Sequence, residues 1–293
     1  MTTETTHYLI RTTMINDEVR TYLLPPLFNA AVRAGAAIMK VYRNPDAQAI
    51  SLKEDQTPIT AANREAHQII RDYLGPTRIP ILSEEGRTMR YEERCNWELY
   101  WLVDPLDGTV EFIQGSNEFT VNIALMENNI CIGAAIYVPY FEKMYIAWRG
   151  RGAYLKEEVP ADPAADYTYE EIRSTCRQLP LIEPPLREKL VVAVSRSHQT
   201  PETHAHIDAL RDRCAVEIVE QGSSYKFCLL AEGKVDYYVR TTLTYEWDTA
   251  AGELILAEAG GRTETLPDGS ELRYNEADLH NPWFVCRSKF CKV

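Results

Sequence analysis

Trp101-Leu102-Val103-Asp104-Pro105-Leu106-Asp107-Gly108-Thr109 carries an apolar strand into a Pro- and Gly-containing turn that bears two carboxylates. A turn here can aim Asp104, Asp107 and the Leu106 carbonyl at one point, an all-oxygen environment suited to hard Mg²⁺. Gly108 permits close backbone approach to a ligand. If a helix follows, the Gly108 and Thr109 N–H groups lie at its start, where phosphate binds favourably. Read in isolation, the stretch is also compatible with a plain Asp-Gly connection between strand and helix.

Two further blocks place acids at comparable positions. Leu82-Ser83-Glu84-Glu85-Gly86 ends an apolar strand with carboxylates, and Glu246-Trp247-Asp248 opens an apolar helix. Alone, Glu84-Glu85 reads as a solvated pair and Asp248 as a helix N-cap. Around these blocks, helical spacing predicts a helix over Pro25–Tyr42, with a proline in its first turn. A second helix is expected from about Thr60 to Tyr73, ended by Gly75-Pro76. Apolar runs predict strands at Ile79–Leu82, Tyr100–Val103, Phe119–Met126, Cys131–Val138 and Met144–Trp148, with Asn128-Asn129 as a hairpin turn.

This half, 23–155, reads as a mostly antiparallel sheet with helices on its faces. Residues 1–22 are expected to be an N-terminal extension. The proline- and charge-rich stretch 156–189 reads as a linker or surface insertion. In the remainder, 190–293, strands (Leu190–Val194, Val216–Val219, Val235–Val239, Phe284–Cys286) alternate with helices (about Pro201–Cys214, Ser224–Ala231, Thr249–Ala259).

The formal charge of −12 argues against a nucleic-acid polymer as partner, but not against a small anion, since bound cations invert the sign of an acidic pocket. The seven cysteines include no Cys-x-x-Cys pair, which argues against a zinc site or a disulfide framework. No apolar run approaches the roughly 18 residues of a membrane span. Met1–Met14 lacks signal-peptide features, so a cytoplasmic location is expected.

Together the three acidic blocks resemble the signature of the inositol monophosphatase superfamily, Mg²⁺-dependent and lithium-sensitive phosphatases, from about Leu23 to the C-terminus. Gly108-Thr-Val-Glu111-Phe-Ile113, Asn117-Glu-Phe-Thr-Val-Asn122, Ser195-Arg-Ser-His198 and Gly222-Ser-Ser-Tyr-Lys226-Phe-Cys228 resemble its bacterial 3'(2'),5'-bisphosphate nucleotidase branch. The resemblance implies an α/β (α+β) fold, the layered α/β/α/β/α sandwich of the inositol monophosphatase and fructose-1,6-bisphosphatase type. It implies two Mg²⁺ ions per site, and up to three. Glu84, Asp104 and the Leu106 carbonyl would hold one ion, while Asp104, Asp107 and Asp248 would hold the second. Thr109 would orient the attacking water, and the Gly108 and Thr109 amides would receive phosphate oxygens. His198, Ser223, Lys226 and Arg240, with Asp248, would contact a small phosphorylated nucleotide. A bisphosphate leaves one phosphate for cationic side chains to neutralise, although Lys226 and Arg240 also read as ordinary surface charges.

Two positions depart from the family pattern. After the block Thr57-Pro-Ile-Thr60-Ala-Ala, where the family carries an aspartate that partners the threonine hydroxyl, this chain has Asn63. Val110 stands where close relatives often have lysine. The function implied is hydrolysis of 3'-phosphoadenosine 5'-phosphate to AMP and phosphate, with its sulfated form as a further candidate substrate. An inositol-phosphate phosphatase and, because of Asn63, a weakly catalytic nucleotide binder stand beside it as alternatives.

Overall fold

The computed structural model describes residues 17–44, 50–52, 58–182 and 188–293. Met1–Met14, Thr57 and, within the proline-rich stretch, residues 183–187 lie outside those residues. Helices are α1 (Asp17–Tyr42), α2 (Ala61–Leu74), α3 (Tyr91–Arg94), α4 (Thr109–Gln114), α5 (Tyr169–Ser174), α6 (Pro201–Arg211), α7 (Tyr225–Glu232) and α8 (Glu246–Glu258). Strands are β1 (Ser51–Leu52), β2 (Pro58–Ile59), β3 (Ile81–Ser83), β4 (Leu99–Asp107), β5 (Thr120–Glu127), β6 (Ile130–Val138) and β7 (Lys143–Trp148). They continue with β8 (Ala153–Lys156), β9 (Arg177–Gln178), β10 (Leu190–Ser195), β11 (Val216–Gln221), β12 (Tyr237–Arg240), β13 (Arg262–Thr265) and β14 (Phe284–Arg287).

The larger sheet runs β3-β4-β5-β6-β7-β8-β9, and only its β3·β4 pairing is parallel. Side chains alternate across it. Trp101 and Val103 join the core under α1 and α2, whereas Tyr100 and Leu102 join the core shared with α7 and α8. With both faces covered, the strands read as unbroken apolar runs. The second sheet, β11-β10-β12-β14-β13, packs Ala193, Tyr238 and Phe284 against α7 and α8. Its other face, through Val192 and Val194, receives Ile207 and Leu210 of α6. The layers are therefore α/β/α/β/α.

Asn128 and Asn129, at φ 45° and 65°, form the expected tight turn between β5 and β6. Helix α1 differs from expectation, because it starts at Asp17 and contains Pro25-Pro26 in its interior. A mid-helix proline removes a backbone bond at a cost of about 3 kcal/mol. Burial of Val19, Leu23 and Leu24, with Asp17 and Glu18 in the first turn, offsets that cost. Residues 17–22 thus belong to the helix and not to an extension.

The stretch 156–189 also differs from a bare linker. It carries α5 and the edge strand β9, and buries Val159, Ala165 and Ile172 in the core beneath α1. Asn29 ties it down, its Nδ2 donating to the Tyr167 carbonyl at 2.9 Å and its Oδ1 accepting from Tyr167 N at 2.8 Å. So few apolar anchors leave no periodicity to read. The strands β8 and β13 were likewise not anticipated.

Candidate active site

The end of β4 places the first two carboxylates. Asp104 pairs with Asn122 and Asp107 with Thr120, so three steps on β4 match two on β5. In a regular strand, residues three apart face opposite sides of the sheet. The extra residue is a bulge that turns Asp107 to the side of Asp104. Pro105, which has no N–H to pair, sits inside the irregularity. The expected turn therefore begins only after Asp107, where Gly108 adopts φ 84° and caps α4. A Cβ on Gly108 would come within 3.1 Å of the Glu118 carbonyl and 3.2 Å of Ser223 Cβ.

Glu84 follows β3 and donates its N–H to the Val103 carbonyl at 3.1 Å, which sets it beside β4. Asp248 is the third residue of α8, not its cap, and its Oδ2 accepts from Tyr245 N at 2.9 Å. These four acids, with Leu106, Gly108 and Thr109, line one cavity of about 680 Å³ between the two halves. His198, Ser223, Lys226 and Arg240 line the same cavity. Asn63 does not line it but stands directly behind Thr109.

Asp104 is 1% exposed. Burial first, then the charges of Glu84, Asp107 and Asp248, raise its carboxyl well above the ordinary range. Asp248 is raised in the same way by burial, Asp107 and Glu84. Mutually repelling buried carboxylates are what a cation placed among them would relieve. The donor set, all oxygen, fits a hard divalent ion. Among the described residues no three His, Cys, Asp or Glu side chains are already closed to ion-cage spacing.

Asn63 is 1% exposed and is the third residue of α2. One terminal atom accepts from Thr60 N at 3.0 Å and from Thr60 Oγ1 at 2.8 Å. Because a backbone N–H only donates, that atom is the oxygen, which fixes the amide orientation. Nδ2 consequently donates to Thr109 Oγ1 at 3.1 Å and to Glu85 Oε1 at 3.2 Å. Thr109 Oγ1 in turn donates to the Leu106 carbonyl at 3.3 Å.

The opposite wall is cationic. Lys226 lies buried in α7 and not on its surface, its Nζ donating to the carbonyls of Ser223 (2.6 Å) and Gln221 (3.1 Å). Burial, then Arg240, pulls its ammonium down to about 8. Arg240 ends β12 and donates from Nη2 to the Leu243 carbonyl at 3.1 Å, while its buried Nε has no partner. His198 sits exposed on the rim, with its imidazole lowered by desolvation and by Arg240. At the mouth, Tyr245 stacks on Trp247 (ring centroids 4.9 Å, 10° between planes) and lies 4.5 Å from the His280 ring.

Three polar residues that sequence reasoning left without a role hold the two halves in register. Ser224 donates its N–H to Asp107 Oδ2 at 2.5 Å, and its Oγ lies 2.5 Å from that oxygen and 2.8 Å from the Asp248 carbonyl. Asn122 donates to Ser224 Oγ at 2.9 Å. Glu111, 3% exposed, accepts from Ser197 Oγ at 2.7 Å. Each lies inside a block quoted above, and Asn122 was detectable as an amide in an otherwise apolar strand.

Fold and cleft together define a phosphatase-type sandwich. The chain matches the inositol monophosphatase family over residues 20–286 and belongs to it, a family whose members are generally metal-dependent. Within it, the chain is 37% identical over 265 residues to the 3'(2'),5'-bisphosphate nucleotidase CysQ of Escherichia coli K12, covering 89% of this chain and 98% of that protein. The Buchnera aphidicola CysQ nucleotidase is 36% identical over 255 residues, 86% of this chain and 88% of its own. The crystal structure of Bacteroides thetaiotaomicron CysQ superposes with a TM-score of 0.83 at 40% identity, covering 92% of this chain and 98% of that one.

Proposed function

We propose that this chain is a 3'(2'),5'-bisphosphate nucleotidase that converts 3'-phosphoadenosine 5'-phosphate to AMP and phosphate. The observation that carries the proposal is one cavity with a carboxylate wall (Glu84, Asp104, Asp107, Asp248) facing a cationic one (Lys226, Arg240). A monophosphate needs only the first wall. A bisphosphate uses both. The Tyr245 ring at the mouth, stacked on Trp247 and beside His280, offers a base a flat surface, which an inositol ring would not exploit.

Glu84, Asp104, Asp107, Asp248 and the Leu106 carbonyl would hold Mg²⁺. Bound there, divalent cations supply positive charge to phosphate oxygens and acidify water. The chain's own residues do the rest. Gly108 and Thr109 amides donate to the scissile phosphate, Thr109 Oγ1 orients the attacking water, and Asn63 holds Thr109. Lys226 and Arg240, with Ser223 and His198, fix the phosphate that does not react. The Asn63 amide donates to Thr109 where a carboxylate would accept from it, so Thr109 spends its proton on Leu106. This wiring favours slow turnover.

The test is product analysis of adenosine 3',5'-bisphosphate incubated with the enzyme and Mg²⁺. Release of 5'-AMP and phosphate supports the proposal; release of 3'-AMP, or tight binding without turnover, contradicts it. The weak-binder alternative is thereby tested in the same experiment.

A further inference from the structure

A second cavity, of about 210 Å³, lies between the start of α1, the β7–β8 hairpin and α5, and shares no lining residue with the catalytic cleft. Three arginines line it, Arg20, Arg151 and Arg173, and no acid does among the described residues, in a chain whose net charge is −12. Asp17, itself exposed, pairs with Arg20 and Arg151 at 3.2 Å each. Arg173 has no ion pair or hydrogen bond among the described residues. The floor is aromatic: Trp148, Tyr154 and Tyr169 line the cavity, with the Arg20 guanidinium 5.6 Å over the Tyr169 ring.

Two donors there are sealed from solvent without a partner, Trp148 Nε1 and Arg20 Nε. Trp148 is 3% exposed. A Cβ on Gly133 would meet the Cε3 and Cζ3 edge of its ring, so that edge lies against β6. Other atoms of the ring line the cavity, while Nε1 itself is enclosed by protein.

We propose that this cavity is a second binding site, for a small anion carrying a single aromatic ring. Its volume is below the roughly 300 Å³ at which pockets for larger ligands begin, so it excludes a whole nucleotide. Guanidinium groups select carboxylate or phosphate oxygens, and the ring faces select a flat apolar body.

The test is a titration of the full chain, ¹⁵N-labelled at tryptophan, with benzoate and with phenylphosphonate, following the indole N–H resonance that Trp148→Phe removes. Both probes are expected to shift that resonance saturably, with the tighter one identifying the preferred headgroup. Arg173→Ala, an exposed change, is expected to weaken binding at least about tenfold, whereas Asp104→Asn leaves it unchanged. No saturable shift overturns the site. An equal response to inorganic phosphate alone overturns the aromatic specificity. Loss of the response in Asp104→Asn would place binding in the catalytic cleft instead.

Discussion

In the proposed mechanism, Asn63 is where a single atom decides the chemistry. Replacing its Nδ2 by oxygen would convert the donor facing Thr109 and Glu85 into an acceptor. The Thr109 proton would then turn towards the new carboxylate, freeing the Leu106 carbonyl and making Oγ1 a better acceptor. General-base assistance is typically worth about 10²–10⁴ in rate. Asn63→Asp is accordingly expected to raise kcat at least about tenfold with little change in KM; steady-state kinetics reads both, and a gain confined to KM would assign the position to metal loading. Asp104→Asn is expected to abolish turnover. Its folded-state pKa is raised, so ionisation of Asp104 subtracts stability as pH rises. The metal-free variant should therefore melt above the parent, by more at pH 7 than at pH 4. Lys226 behaves in the opposite sense, with a folded pKa lowered from 10.5 to about 8. Holding its charge costs stability below pH 8, and that cost fades as pH rises to 10.5. Denaturant titrations should find Lys226→Met more stable than the parent at pH 7, by about 3 kcal/mol at most, with the difference shrinking by pH 10.

At the level of elements, the junction of β4 and α4 carries the geometry. Gly108 holds φ 84° with the Glu118 carbonyl within 3.1 Å of a would-be Cβ. Gly108→Ala should cost about 1–2 kcal/mol from the left-handed backbone alone and lower kcat by displacing Thr109. A thermal melt and a rate assay check the two effects, and an unchanged melt would deny the strain. The sequence exposes this junction because its information is local: an apolar run, two acids, then Asp-Gly. It cannot expose the bulge, since whether Asp107 shares a face with Asp104 depends on β5 pairing Thr120 and Asn122 in that register. Capping was half legible. Thr60 stands at the start of α2 as expected, and Asp248 lies in the first turn of α8 as its third residue, so its bland alternative as an N-cap does not hold. The Pro25-Pro26 pair misplaced the start of α1, because tertiary burial outweighs a local penalty that sequence reasoning weighs first.

Across the whole molecule, the five layers bring residues from β4, α4, β12, α7 and α8, with Glu84 just after β3, to one cleft. Motif resemblance supplied the acidic wall. What it could not supply is the seam: Ser224 and Asn122 bond across it, and Arg196 forks onto Glu118 at 2.7 and 2.8 Å. These contacts join residues that the chain separates widely, with no periodic signal. Under the proposed function the seam lets both walls act on one substrate, and substrate choice would then be a property of both halves together. The decisive measurement is kcat/KM for adenosine 3',5'-bisphosphate and for inositol 1-phosphate, with Mg²⁺, in the parent and in Arg240→Ala. The parent is expected to prefer the bisphosphate. Arg240→Ala is expected to lose roughly tenfold or more on the bisphosphate, the worth of a charge-assisted contact of about 1.5–3 kcal/mol, and far less on the inositol phosphate. Equal losses on both substrates, or a parent that prefers inositol 1-phosphate, would contradict the nucleotidase assignment.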